Sequence, residues 1–196
     1  MTSELFPTIV FAAVVISWIA FAVVFLTRKK PEQARERKKD SSSILGIVLQ
    51  AISYALVWSI HRPYFTSLFS GNQTLARIGE GAAILLAVLS VVVTMSAVKT
   101  LGKEWSLTAR VVEGHKLATN GPYAWVRHPI YTGMFGMLLA TGLAISFWFV
   151  VPVAAILFIA GTMIRIRGEE RLLRESFGSE FDAYAARVSA FVPGVY

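Results

Sequence analysis

Four side chains able to hold a proton or a polar ligand fall within 17 residues: His115, Tyr123, His128 and Tyr131. Three of them sit in GPYAWVRHPIYTG, residues 121–133, together with Arg127, Pro122 and Pro129. Imidazole and phenol groups donate and accept hydrogen bonds, and imidazole titrates near neutrality. A second polar group follows a long apolar run. Arg165 and Glu169 are four residues apart and share a helix face. A guanidinium grips a carboxylate through two parallel hydrogen bonds, and a carboxylate suits a cationic ligand. Taken singly, each of these residues reads as an interfacial anchor or a solvated group. Their concentration in two short segments reads as a binding site.

The local sequence says how they are presented. Pro129 fits the first turn of a helix, where a missing N–H costs little. His128, just before it, is pushed out of helical geometry. The chain therefore enters its next apolar segment through a stiff turn that displays Arg127, His128 and Tyr131. The tail reads RIRGEERLLRESFGSEFDAYAARV, residues 165–188. There, Glu170, Arg171, Arg174 and Glu175 read as a solvated face, with Leu172, Leu173 and Phe177 on the apolar side. Gly178 breaks the helix. Ser179 and Asp182 fit a capping box that restarts it, with Phe181, Tyr184 and Val188 inward.

The elements that must position these groups are membrane helices. The 196 residues are 55% hydrophobic and 16% charged, against about 25% charged in a soluble domain. Mean hydropathy is +0.59. Five apolar segments stand out, at about 8–27, 44–60, 78–98, 131–145 and 148–164. A span takes roughly 20 helical residues. The last two are short and nearly continuous, so they predict a tight helical hairpin with Ser146 and Phe147 near its tip. Gly133, Gly136, Ala140, Gly142 and Ala144 on one arm, and Ala154, Ala155, Ala160 and Gly161 on the other, allow close helix approach in lipid. The first segment lacks a basic leader and is followed by TRKKPEQARERKK, a stop-transfer flank, so it reads as a span. His61, Arg62 and Pro63 read as a helix end, and SSS at 41–43 as a cap. The fold class is all-α, a multi-pass bundle of about five spans in one domain.

Charge sets the orientation. Seven Lys and Arg lie in residues 28–39, five in 99–127 and five from Arg165 onward, leaving only Arg62 and Arg77 for the other side. Basic loops stay in the cytoplasm. The N-terminus is expected outside, with the C-terminus and both polar segments cytosolic. The net charge of +7 belongs to these flanks and to anionic lipid head groups, so no nucleic-acid partner is expected. The absence of cysteine excludes disulfides, thiol catalysis and thiolate metal sites, and no metal is expected.

HKLATNGPYAWVRHPIYTG, then EERLLRESFGSEFDAYAARV and a closing FVPG, together resemble the isoprenylcysteine carboxyl methyltransferase family. Its members are integral membrane enzymes that use S-adenosylmethionine; phospholipid methyltransferases are more distant relatives. The resemblance covers about residues 108–194. It implies a division into three N-terminal spans, 1–107, and a cofactor-binding region, 108–196, with a terminal hairpin and an amphipathic tail. It implies that His115, Lys116, Leu117 and Ala118, then Tyr123, then His128, Pro129, Ile130 and Tyr131, and finally Glu169, bind S-adenosyl-L-methionine. It implies that Arg165 is catalytic and faces the acceptor. One position departs: where the isoprenylcysteine enzymes carry a glutamine seven residues before the histidine-led patch, this chain has Thr108.

Methyl transfer from a sulfonium needs alignment more than proton chemistry. A carboxylate acceptor needs a cation to hold it, whereas an amine acceptor needs a proton acceptor nearby. The leading expectation is O-methylation of a carboxylate on a lipid-like or prenylated acceptor that enters from the bilayer, with membrane lipids as the other partner. An amine or phospholipid N-methyltransferase, a nicotinamide-dependent reductase of the sterol-reductase type, and a non-catalytic membrane protein are the alternatives. The topology is directly testable: a reporter fused after Tyr196 is expected to be cytosolic and a tag before Met1 external. A cytosolic N-terminal tag would mean that the spans are miscounted.

Overall fold

In hydrocarbon no water satisfies the backbone, so each apolar segment must close its hydrogen bonds within itself as a helix. The computed structural model describes residues 2–27, 36–39, 43–69, 71–102, 110–112 and 117–194. Its helices are α1 (Thr2–Leu26), α2 (Ser43–Ser59), α3 (Gln73–Leu101), α4 (Pro129–Ile145), α5 (Val150–Phe177) and α6 (Ser179–Ala185). Each of the five apolar segments is therefore helical. Three helices, α1, α3 and α5, are long and apolar enough to cross a membrane, while α2 and α4 have 17 residues each. At 1.5 Å per residue a helix of that length covers about 25 Å, a little under the roughly 30 Å hydrocarbon core.

The helices pack in pairs that the sequence did not indicate. Small residues of the hairpin meet other helices more than each other. On α4, a Cβ at Gly133 would sit 2.9 Å from the Ser90 carbonyl of α3, and one at Gly136 would run into the Ser90 side chain. On α5, a Cβ at Gly161 would lie 2.7 Å from the Gly46 carbonyl and 2.9 Å from Leu49 Cβ, both on α2. Within the hairpin, Gly142 lies against Val151. So α4 seats on α3, and α5 seats on α2. Hydrogen bonds across helices add to this: Trp18 Nε1 of α1 donates to Thr141 Oγ1 at 3.0 Å, and the Tyr54 hydroxyl of α2 to the Met134 carbonyl at 2.7 Å. Such bonds act as glue where lipid supplies no partners. Val57, Leu138, Ala154, Phe158 and Phe191 form one buried cluster, and Val14, Phe21, Ala87, Met137 and Ala140 another.

The hairpin turns over Ser146 to Phe149, as its sequence indicates. Arg62 holds this end. Its backbone N–H donates to the Ile145 carbonyl at 2.8 Å, and its guanidinium donates to Ala144 O at 2.9 Å, Leu143 O at 3.2 Å and Ser146 O. A cation on the orphan carbonyls of a helix C-terminus is favourable. Arg62 thus lies just past the end of α2, as expected, and also caps the end of α4.

At the opposite end, two short strands pair antiparallel: β1 (Glu36–Lys39) and β2 (Arg110–Val112). This short ribbon joins the two basic loops of an otherwise helical chain. One correction concerns the tail. The capping box of Ser179 and Asp182 does not form; α6 has Gly178 at its N-cap with no side-chain cap bond, and Asp182 pairs with Arg174 at 2.7 Å. Gly178, with φ +52, ends α5 as expected. And α6 buries Phe181 and Tyr184, so it lies on the protein core. Of the SSS stretch, residues 41 and 42 lie outside the described residues, and Ser43 opens α2.

The glycine seam gives a stability test. Gly161→Ala places a methyl against the α2 backbone and should destabilise the protein by about 1–3 kcal/mol, as overpacking does. Gly81→Ala, where a Cβ meets nothing within 4 Å, should be neutral or mildly stabilising. Thermal unfolding in detergent compares the two; equal midpoints would remove the seam as a packing determinant.

Candidate active site

The site forms where α4 begins and the polar tail of α5 continues beyond the apolar run. The chain approaches through half-buried Leu117 and Ala118 and a 3-10 turn, Gly121–Ala124. His128 is the N-cap of α4 with φ −125 and ψ 60, outside helical geometry, and Pro129 occupies the first turn. Both follow from the His-Pro pair. The C-terminal segment is stitched alongside this entry. The N–H of Arg127 donates to Ser189 O at 2.8 Å, that of His128 to Ala190 O at 2.9 Å, and Thr132 Oγ1 to Phe191 O at 2.6 Å. The Tyr184 hydroxyl of α6 donates to the Tyr123 carbonyl at 2.6 Å. Burial pushes that phenol up to about 12, so it stays a donor at neutral pH.

Glu169 and Glu170, consecutive on α5, straddle the His128 imidazole. Nδ1 lies 3.3 Å from Glu169 Oε2, and Nε2 lies 3.3 Å from Glu170 Oε1. The Tyr131 hydroxyl donates to Glu169 Oε1. The His128 and Tyr131 rings are nearly parallel, 18° apart in plane with centroids at 5.8 Å. Arg165 lies over the Tyr131 ring, its guanidinium carbon 4.8 Å from the centroid, and its Nη2 is 4.0 Å from Glu169. Its Nη1 donates to Gln50 Oε1 of α2 at 2.9 Å. Gln50 in turn donates its amide to Thr162 Oγ1 at 2.8 Å.

The structure therefore brings His128, Tyr131, Arg165 and Glu169 together. Pro129 is buried beneath them and Ile130 half-buried. Tyr123 is buried against the tail. His115, Lys116 and Thr108 lie outside the described residues. Glu170 is not part of a solvated face: it accepts from Arg127 Nε and Nη2, each at 2.8 Å. Arg127, expected at the interface, also donates to the Ala185 and Val188 carbonyls, so it clamps the tail. Gln50 was not indicated by the sequence reading. Its signal was there: it is a lone amide in an apolar run, which hydrocarbon disfavours unless the group is partnered.

The electrostatics of His128 follow from its neighbours. Burial by itself would lower its pKa. Hydrogen bonds and charge from Glu169 and Glu170 outweigh burial, and the net direction is up. With both ring nitrogens facing carboxylates, the imidazolium is the favoured form. A group whose folded pKa is raised contributes stability that is complete below its unfolded pKa, near 6.5, and is lost as pH rises through the folded value. Stability measured against pH should fall over that upper range in the native chain, and His128→Gln should flatten this slope. An unchanged slope in His128→Gln would place the titration elsewhere.

With this geometry in place, comparison with known proteins identifies the region. The family model described as isoprenylcysteine carboxyl methyltransferase (ICMT) family matches residues 83–175. This span covers most of α3, the entry turn, the hairpin and the α5 carboxylates. The chain is 37% identical over 118 residues to the nickel-cobalt-cadmium resistance protein NccN of Alcaligenes xylosoxydans xylosoxydans, covering 57% of this chain and 51% of that one. It is 30% identical over 118 residues to protein-S-isoprenylcysteine O-methyltransferase B of Arabidopsis thaliana, covering 57% and 58%. It is 23% identical to the uncharacterized protein YpbQ of Bacillus subtilis, over 81% of this chain and 96% of that one. The matched part thus amounts to about half the length of the first of these relatives. Residues 83–175, which carry His128, Tyr131, Arg165 and Glu169, are thus the part of this integral membrane chain that is similar to the isoprenylcysteine carboxyl methyltransferase family.

Proposed function

We propose that the chain is a membrane methyltransferase that uses S-adenosyl-L-methionine to O-methylate the carboxylate of a lipophilic acceptor reached from the bilayer. One observation carries this reading: a buried arginine and an acid, with a histidine and a tyrosine between them, converge from the two arms of the hairpin. The printed activity of the Arabidopsis relative, protein-S-isoprenylcysteine O-methyltransferase, supports an isoprenylcysteine-like acid or another acidic amphiphile as acceptor.

The residues fit the cofactor. Of this cluster, Glu169 keeps the most side-chain exposure, 22% against 7% for both His128 and Arg165. An accessible carboxylate in an otherwise buried polar cluster suits a ligand bearing an ammonium and a sulfonium. In this reading Glu169 binds the cationic part. Leu117, Ala118, Tyr123 and the turn of His128, Pro129, Ile130 and Tyr131 enclose the rest, with His115 and Lys116 leading into the patch. S-adenosylmethionine, when bound, supplies a methyl group already activated as a sulfonium. Arg165 grips the acceptor carboxylate and aims one oxygen at that methyl. The acceptor oxygen gains the methyl and no proton leaves it, so no general base is needed. His128, held as an imidazolium between two acids, is poorly placed to take a proton from an amine. That favours the anionic acceptor over N-methylation.

The charge pattern supports five crossings, the N-terminus outside, and the site and C-terminus on the cytosolic face where the cofactor is made. Residues 108–196 then carry the cofactor contacts, and residues 1–107 supply the spans that support them.

The test uses purified protein, labelled cofactor and an S-prenylated N-acetylcysteine as acceptor. His128→Ala and Glu169→Ala should each weaken cofactor binding by about 1.5–3 kcal/mol, roughly ten- to a hundredfold. Arg165→Lys keeps the charge but loses the planar fork. It should bind cofactor normally and lose turnover on the order of a hundredfold. Near-normal transfer by Arg165→Lys would defeat the acceptor-orienting role, and unchanged cofactor affinity in both other variants would remove them from the site.

A further inference from the structure

The family match begins at residue 83, yet a hydrogen-bond partner of the Arg165 guanidinium comes from α2. Gln50 is 2% exposed and Arg165 is 5% exposed. Gln50 Oε1 accepts from Arg165 Nη1 at 2.9 Å. The amide cannot swing away, because its Nε2 donates to Thr162 Oγ1 at 2.8 Å, one turn before Arg165 on α5. The backbone of α2 makes room for the stem of the same arginine: a Cβ at Gly46 would collide with Arg165 Cγ. So α2 contributes a seat and an acceptor for one cation of α5.

The chemical type of that acceptor matters. A carboxylate at position 50 would orient the guanidinium equally well, but it would also cancel its charge in a low-dielectric setting. A neutral amide orients without cancelling. On its other side the guanidinium faces Glu169 at 4.0 Å, a long separation, and that carboxylate is shared with Tyr131 and His128. Gln50 thereby fixes the guanidinium in direction without adding a negative charge beside it.

We infer that Gln50 is a positioning residue for Arg165, and that its neutrality makes the acceptor subsite selective for an anionic headgroup over an uncharged one. The inference rests on the methyltransferase reading for the location of the acceptor, but its test does not require turnover. The probes are N-acetyl-S-farnesylcysteine and its carboxamide, which share a tail and differ in charge. Binding of each is measured on the full chain in detergent, with S-adenosylmethionine affinity and thermal midpoint measured on the same samples.

The native chain should bind the acid at least roughly tenfold more tightly than the amide, as expected for a charge-assisted contact. Gln50→Glu is isosteric, and the Thr162 hydroxyl can rotate to donate to the new carboxylate, so this variant should fold with cofactor affinity unchanged. It should lose the acid preference, because Arg165 would then be neutralised from α2. Gln50→Leu removes the orienting oxygen and should weaken acid binding while leaving amide binding within about twofold. Three results would overturn the inference: no acid preference in the native chain, an acid preference retained in Gln50→Glu, or cofactor affinity falling in parallel with acid binding, which would make Gln50 a general structural support. Acid selectivity that Gln50→Glu abolishes, without methyl transfer to the acid, would uphold the inference and defeat the reaction proposed above. Transfer with selectivity untouched by Gln50→Glu would do the reverse.

Discussion

The imidazole of His128 sits between Glu169 and Glu170, and the arrangement of the polar end depends on this sandwich. Two carboxylates on consecutive residues of α5 would repel each other and resist burial. A cation between them removes both objections. Arg127 satisfies Glu170 from a further side, and Arg165 approaches Glu169 from within its own helix. Buried charges persist only when paired and hydrogen-bonded, so the cluster is all-or-none in character: removal of one member strands another. It also ties the entry of α4 to the extension of α5. The two open ends of the hairpin are thereby held together, and the C-terminal segment is stitched down beside them.

The other end of the hairpin is held by the same kind of device with different parts. Arg62 spreads its donors over the last carbonyls of α4. No carboxylate is needed there, because orphan carbonyls and the helix dipole supply the negative potential. Between these pinned ends the helices rely on close approach. Lipid gives no hydrophobic drive for helix association, so contact must come from dispersion and interhelical hydrogen bonds. Glycine at 133 and 161 lets neighbouring backbones come near enough for both. A consequence for function is that α2, pressed against α5 along the Gly46 and Gly161 seam, reaches Arg165 directly.

How much of this was legible beforehand differs by element. Local chemistry was readable: the His-Pro pair fixes a non-helical N-cap and a proline in the first turn, and Gly178 ends α5 with a positive φ. The spacing of Arg165 and Glu169 placed them on one face, and their four-residue separation survives as a 4.0 Å approach. Where alternatives competed for the same atom, the sequence misled. Asp182 was assigned to cap its own helix, yet Arg174 lies within reach across the Gly178 bend and takes it. Glu170 reads as solvated with Arg171, Arg174 and Glu175 on one charged face, but Arg127 and His128 reach it from 42 or more residues away in the chain.

The sequence by itself determined the apolar segments, the hairpin, the stiff entry turn and the shared helix face of Arg165 and Glu169. These depend on periodicity, proline geometry and helix spacing, which act over a few residues. The tertiary structure decided which helix each glycine seam faces, that Arg62 caps α4, that Arg127 clamps the tail, and that Gln50 holds Arg165. Those outcomes depend on partners far apart in sequence, and the preference of a buried polar group for any acceptor within reach does not specify which one folding will bring.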